Sequence, residues 1–113
     1  MQKKANIIKE ICEELKASSG VPFEYDHFTA AAAVAPPFVL YRRVAAANFS
    51  ADGVVYHKGE AVDLELYAST PEEMEELMDQ VEELLDKNEV FYNKTADTAY
   101  IETEDFYETL YEI

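Results

Sequence analysis

Residues 60–87 join a strand pattern to a helix cap and a strongly acidic helix, and this stretch limits the folds open to the rest of the chain. In residues 60–68 apolar and polar side chains alternate, which predicts a strand with one buried face (Val62, Leu64, Leu66) and one wet face (Asp63, Glu65, Tyr67). Thr70, Pro71 and Glu73 then match a capped helix start, with a hydroxyl at the N-cap and proline at the first helical position. The pattern predicts a helix over residues 71–87.

This predicted helix is amphipathic and acidic. Its apolar residues recur at spacings of three and four: Met74, Leu77, Met78, Val81, Leu84 and Leu85. Its opposite face carries Glu72, Glu73, Glu75, Glu76, Asp79, Glu82, Glu83 and Asp86. Like charges three or four residues apart cost about 0.2–0.5 kcal/mol per pair, whereas burying a large apolar side chain contributes about 1.5–3 kcal/mol. We therefore expect the helix to form by packing against the sheet rather than in isolation.

The remaining periodicities indicate an α+β chain. A first helix is predicted over residues 2–19, because Ile8, Ile11, Cys12 and Leu15 form an apolar stripe and Gly20 suits a C-terminal cap. Residues 21–25 fit a short strand, residues 38–44, 54–58 and 60–68 an antiparallel meander, and residues 89–92, 98–102 and 106–113 further strands. We expect a single domain with a mainly antiparallel sheet, the N-terminal helix and the central acidic helix being packed on one face.

Residues 26–37 contain an alanine run that ends in Pro36 and Pro37. Alanine favours helix, but the two prolines prevent its continuation and favour extended backbone before them. We predict an exposed, mobile loop. It is either a plain connector or a segment that becomes ordered on contact with a neighbouring subunit.

Charge and cysteine content narrow the function classes. With 24 acidic and nine basic residues the net charge is −15, which argues against binding DNA or anionic membranes through phosphate contacts. It fits a solvated surface, a basic partner or mimicry of DNA. Cys12 is the only cysteine, so no internal disulfide forms, and its place in the apolar stripe predicts a buried, unreactive thiol. No apolar run resembles a signal peptide or a membrane span, so we expect a protein made and used without secretion.

The sequence shows no spacing that catalysis or metal binding requires. His27 and His57 are isolated from each other, no zinc-binding pattern occurs, and the three glycines are scattered singly. The serines and threonines have no histidine or lysine at a spacing that would supply a base. The helix acids do not form a calcium loop. We therefore expect no enzyme activity, no cofactor and no metal.

Arg42 and Arg43 stand out because basic residues are scarce. As neighbours on a predicted strand they point to opposite faces of the sheet. One interpretation is an internal ion pair with a strand neighbour such as Asp63 or Glu65. The other is a subunit contact to an acidic face of a second copy, where Arg is favoured over Lys.

Five stretches, taken in order with the acidic helix, resemble a known family: residues 21–28 (VPFEYDHF), 36–41 (PPFVLY), 48–58 (NFSADGVVYHK), 62–67 (VDLELY) and 107–113 (YETLYEI). Together they look like the small tail proteins encoded by phages and prophages of Gram-positive bacteria. They are similar to the tail-terminator, or head–tail joining, proteins of long-tailed phages.

This resemblance implies a structural virion protein that forms a ring, usually of six copies, capping the tail tube and docking to the head-side connector. It implies neither catalysis nor a cofactor, and places the protein in the host cytoplasm during assembly and then at the head–tail junction. A closed ring needs one patch to meet a different patch on the next copy. We expect this interface on the sheet edges, the 26–37 loop and the 45–53 connection, with these candidate residues: His27, Phe28, Pro36, Pro37, Arg42, Arg43, Asn48, Phe49 and Asp52.

The charge also allows a different class of function. An acidic protein can mimic DNA, or act as an adaptor, by binding a basic host protein. Mimicry needs carboxylates spaced like phosphates over an extended surface. Here they concentrate on one predicted helix and on the strand edges.

Overall fold

The computed structural model describes residues 3–44, 50–51, 54–55 and 61–113. Within these described residues there are two α-helices, α1 (Lys4–Ser19) and α2 (Pro71–Lys87), and a short 3₁₀ turn spans Ala30–Ala32. The strands are β1 (Phe23–Tyr25), β2 (Phe38–Val44), β3 (Ser50–Ala51), β4 (Val54–Val55), β5 (Ala61–Ala68), β6 (Asn93–Ile101) and β7 (Phe106–Glu112).

Five of the described strands form one sheet in the order β1-β2-β5-β7-β6, and β3 pairs with β4 separately. β1 runs parallel to β2, and the other neighbours in the large sheet are antiparallel. Both helices pack on one face of this sheet, where their apolar stripes join the inward-facing residues of β2, β5 and β7 in a single core. The α+β class, with an N-terminal helix and an acidic second helix on a mostly antiparallel sheet, is confirmed.

α2 begins where its cap predicts. The Thr70 hydroxyl oxygen accepts a hydrogen bond from the Glu73 backbone N–H at 3.1 Å, and the Glu73 carboxylate accepts one from the Ser69 backbone N–H at 2.8 Å. These bonds satisfy N–H groups that have no partner within the helix. α1 ends at Gly20, whose φ of 72° is the left-handed conformation that glycine adopts readily.

The core residues recur at the helical and strand spacings predicted from the sequence. α1 buries Ile8, Ile11, Cys12 and Leu15; α2 buries Met74, Leu77, Val81 and Leu85; β5 buries Val62, Leu64, Leu66 and Ala68. β7 contributes Thr109 and Tyr111, both fully buried, on the same side of the sheet. Among the described residues, neither helix is long and apolar enough to cross a membrane.

The predicted meander is wrong in its strand order. β2 pairs directly with β5 over its whole length, and Val54–Val55 pairs with Ser50–Ala51 outside the large sheet. The apolar pattern within residues 38–68 predicts extended strands. Which of these strands become neighbours is decided by contacts between residues far apart in the sequence.

Two further strand predictions need correction. Residues 89–92 are not a strand: Glu89 is in a turn, Val90 and Tyr92 pack on the core, Phe91 is exposed, and β6 begins at Asn93. The face of β5 that was predicted to be exposed to solvent is only partly exposed, because Glu65 on this face is 8% exposed. The predicted loop over residues 26–37 holds the 3₁₀ turn and no strand, and its mobility stays a prediction.

Candidate interaction surface

The sheet face opposite the helices carries a cluster of aromatic rings. We call this side the open face, because no described helix packs on it. Phe38 on β2 stacks on Tyr67 of β5, with ring centroids 4.8 Å apart, and Phe106 of β7 lies edge-on to both rings. Phe28, from the segment after β1, lies edge-on to Phe38 at 5.5 Å. All four rings are half-buried, so the cluster keeps exposed aromatic surface.

A hydrogen-bonded network borders this aromatic cluster. The Tyr67 hydroxyl lies 2.6 Å from the Glu108 carboxylate and 2.9 Å from the Glu65 carboxylate, so its single hydrogen serves two acceptors. Glu65 also pairs with the Arg42 guanidinium at 2.8 Å. Burial and the hydrogen bond to Glu108 raise the pKa of Tyr67, so the hydroxyl keeps its proton.

Glu65 is the buried member of this network. Burial raises its pKa above the ordinary 4.5, although the hydrogen bond from Tyr67 and the charge of Arg42 act in the opposite direction. Tyr67 and Arg42 therefore hold this carboxylate in place at the border of the open face.

Asp26 brings together two of the residues that the sequence singled out. Its carboxylate lies 2.8 Å from His27 Nδ1 and 3.8 Å from the Arg42 guanidinium. All three side chains are substantially exposed, so these pairs contribute at most about 1 kcal/mol. They place His27 beside the open face, close to the strand that carries Arg42.

The remaining candidates from the sequence are Arg43, Pro36, Pro37, Asn48, Phe49 and Asp52. Arg43 is exposed on the helix-covered side of β2, and its backbone N–H donates to the Tyr25 hydroxyl at 3.0 Å. Pro36 and Pro37 are joined by a cis peptide bond and are half-buried. Asn48, Phe49 and Asp52 lie outside the described residues.

Of the two interpretations given for Arg42 and Arg43, the structure supports the internal ion pair for Arg42 only. Arg42 makes the internal ion pair with Glu65, one of the two partners that the sequence suggested. Within the described chain, Arg43 has no carboxylate within ion-pair distance, so a subunit contact remains open to it.

Sequence reasoning missed Phe38, Tyr67 and Phe106 as site residues. Each alternates correctly with buried neighbours on its own strand, but the pairing of β2 with β5 and of β5 with β7 alone brings the rings together. The excess of aromatic residues at outward-facing strand positions was the available signal.

Two shallow grooves lie on the helix-covered side. One of about 180 Å³ is lined by residues that include Ser19, Pro37 and Glu76, and one of about 250 Å³ lies between α1 and α2 beside Glu14 and Glu83. Both are below the roughly 300–1,000 Å³ of ordinary small-molecule pockets. Among the described residues, no group of three or more His, Cys, Asp or Glu side chains could hold a metal ion.

Comparisons with protein-family models, with curated proteins and with solved structures gave no match for this chain. The open face therefore has to be interpreted from its own composition and geometry.

Proposed function

We propose that this chain is a structural virion component, a tail-terminator or head–tail joining protein that assembles into a ring capping the tail tube. The sequence resemblance suggests the family. The observation that supports the proposal is the open face, whose half-buried aromatic rings have the composition of a protein interface core.

The composition of the open face supports a protein–protein contact. Interface cores are enriched in aromatic residues and arginine and depleted in unpaired charge. Phe28, Phe38, Tyr67 and Phe106 supply the aromatic surface, and Arg42 lies at its border in an ion pair with Glu65. A partner that covered the four half-buried rings would gain about 25 cal/mol for each Å² of apolar surface removed from water.

In the proposed role the open face meets the tail-tube protein or the head-side connector, and the sheet edges are left for neighbouring copies. Such a role requires no cofactor and no chemical step. The net charge of −15 means that a partner with basic groups around an apolar centre would be attracted over distance as well as on contact.

Complementation tests this function. The gene is deleted from the phage or prophage that encodes it, and particles are examined by electron microscopy with and without a plasmid copy. We expect separate heads and tails after deletion and joined virions after complementation. Normal joined virions in the deletion strain would refute the proposal.

A second candidate, an acidic DNA mimic or adaptor, is favoured by one observation. The outer side of α2 exposes Glu72, Glu75, Glu76, Asp79, Glu83 and Asp86. Capture of a basic DNA-binding protein by a monomeric chain, competed by double-stranded DNA, would support mimicry. Location at the head–tail junction of purified virions would support the terminator.

A further inference from the structure

Glu108 on β7 carries a charge that no described cation compensates. The Tyr67 hydroxyl, 2.6 Å away, donates a hydrogen bond to this carboxylate, but the hydroxyl has one hydrogen and no charge. Glu65, the other carboxylate beside Tyr67, is already paired with the Arg42 guanidinium at 2.8 Å. Among the described residues, no Lys or Arg nitrogen lies within ion-pair distance of Glu108. Its carboxylate therefore keeps acceptor positions for a cation from outside the described chain.

Strand pairing places Glu108 beside the aromatic cluster. Phe38, Tyr67 and Glu108 lie opposite one another on β2, β5 and β7, and so form one row across the open face. Phe106 precedes Glu108 by two residues on the same strand, and therefore points to the same face. All four side chains are half-buried. A guanidinium can bind both kinds of group in this row, since it pairs with a carboxylate through two hydrogen bonds and stacks on aromatic rings.

Arg42 does not supply this guanidinium. It lies four residues along β2 from Phe38, a distance of roughly 13 Å in an extended strand. Its guanidinium contacts Glu65 and Asp26 instead. The position beside Glu108 and the aromatic rings is therefore left for a side chain of another protein.

The whole open face has an excess of negative charge. On β2, β5 and β7 the side chains that point to this face alternate with those that point to the core, and the charged ones are one cation and four carboxylates: Arg42, Asp63, Glu65, Glu108 and Glu112. Their net charge is −3. Asp26, beside the face, is acidic as well. The charge of this face therefore complements a partner with cationic side chains.

Covering the aromatic rings without a counter-charge would be unfavourable. The carboxylate of Glu108 lies among these rings, so a partner that removes the rings from water also removes water from the carboxylate. An unpaired carboxylate is costly to bury, whereas a guanidinium gives it strong charge-assisted hydrogen bonds. A partner that fits this face therefore has to bring a cation to Glu108.

We propose that Glu108 and the rings of Phe38, Tyr67 and Phe106 bind an arginine side chain of the protein that covers the open face. The guanidinium donates to the Glu108 carboxylate and stacks on the aromatic surface beside it. This inference rests on the proposed function, in which the tail-tube protein or the head-side connector covers this face. It names the chemical group by which that partner is recognised.

A blocked arginine tests the site without the partner. N-acetyl-arginine amide is titrated into the protein at low salt, and the ring signals of Phe38, Tyr67 and Phe106 are followed by heteronuclear NMR. N-acetyl-citrulline amide, which has nearly the same shape but no charge, is the control ligand. Glu108→Gln removes the charge of the site. Glu112→Gln is the matched control variant, because it removes an exposed carboxylate from the same strand and face. Circular dichroism checks that both variants are folded.

We expect the arginine compound to shift the ring signals in a saturable way and the citrulline compound to leave them unchanged. Glu108→Gln should weaken the binding of the arginine compound by about tenfold, since it removes a hydrogen-bonded charge. Glu112→Gln should weaken it by less than about twofold. In the complementation assay, Glu108→Gln should lower the number of joined virions, and Glu112→Gln should not.

Three results of the titrations would overturn this inference: no saturable shift with the arginine compound, an equal response to the citrulline compound, or equal weakening by the two variants. Joined virions at wild-type numbers with folded Glu108→Gln protein would overturn it as well. These outcomes leave the proposed function standing, because that function fails only if the deletion strain makes normal joined virions.

Discussion

The hydroxyl of Tyr111 on β7 lies 2.6 Å from the carboxylate of Glu82 on α2 and fastens the helix to the sheet from inside the core. Tyr111 is fully buried, and burial together with this hydrogen bond raises its pKa, so the phenol remains the donor. Lys94 from β6 binds the same carboxylate at 2.9 Å. Glu82 therefore joins α2 to both β6 and β7. The sequence pattern alone placed this side chain on the solvated face of the helix.

Tyr111→Phe should destabilise the fold by about 1.5–3 kcal/mol, because it removes a hydrogen bond to a charged acceptor and little packing volume. Urea denaturation monitored by circular dichroism measures the change. Tyr107→Phe is the matched control, since this half-buried ring lies on the same strand and its hydroxyl makes no hydrogen bond within the described residues. Equal losses in the two variants would contradict the role of the Glu82 contact.

The stability supplied by Glu82 should depend on pH. Burial raises the pKa of this carboxyl, but the hydrogen bonds from Tyr111 and Lys94 outweigh burial and bring the pKa below the ordinary 4.5. A lowered pKa means that the folded state favours the ionised form, so the contribution is full above pH 4.5 and is lost as the pH falls through the folded-state value.

Glu82→Gln should therefore be less stable than the wild type at pH 7, and the difference should narrow below pH 4.5. Denaturant titrations at several pH values provide the measurement. Glu83→Gln, which changes an exposed neighbour, should follow the wild type throughout. If Glu82→Gln lowers the free energy of unfolding by the same amount at pH 7 and at low pH, the ionisation of Glu82 does not contribute to stability.

The contribution of the α2 N-cap to the free energy of unfolding can be measured directly. Thr70→Ala removes the hydroxyl oxygen that accepts from the Glu73 N–H, and we expect a loss of about 1 kcal/mol in unfolding free energy. Ser69→Ala serves as the comparison, because only the backbone N–H of Ser69 takes part in the cap. Its stability should stay within a few tenths of a kcal/mol of the wild type.

Cys12 should be unreactive until the protein unfolds. The thiol is 1% exposed, and burial raises its pKa to about 12. The thiolate, which is the reactive form, is therefore scarce at neutral pH. Labelling with a thiol reagent should be very slow in buffer and fast in denaturant. A cysteine introduced at the exposed Ala17 should react promptly in the folded state, whereas prompt native labelling of Cys12 would contradict its burial.

The open face can be tested with a substitution at its margin. Phe28→Ala removes one ring of the aromatic cluster, where it lies edge-on to Phe38, and we expect joined virions to fall by about tenfold in the complementation assay. Val34→Ala is the control from the same segment, since Val34 is 39% exposed and lies outside the cluster. If Phe28→Ala is folded and still gives as many joined virions as the wild type, the aromatic cluster is not needed for head–tail joining.

Local patterns predicted much of this fold. The apolar stripe of α1, the cap and extent of α2, and the buried side of β5 follow from side-chain periodicity and from the chemistry of helix ends, both of which act over a few residues. The hidden position of Cys12 follows from the same stripe.

The candidate surface was only partly predictable. Phe28, His27 and Arg42 were named from the sequence and lie on or beside the open face, whereas Arg43 lies on the helix-covered side. The aromatic partners of Phe28 were missed, because nothing local to Tyr67 or Phe106 indicates that β2, β5 and β7 are neighbours.

The sequence by itself determined the two described helices, the buried sides of α1, α2 and β5, and the strong excess of negative charge. The tertiary structure alone decided which strands pair, and that Glu65 is buried while Phe91 is exposed. The reason is the range of the interactions. Helix caps and periodic burial act between residues close in sequence, whereas strand order is set by contacts between residues far apart in it.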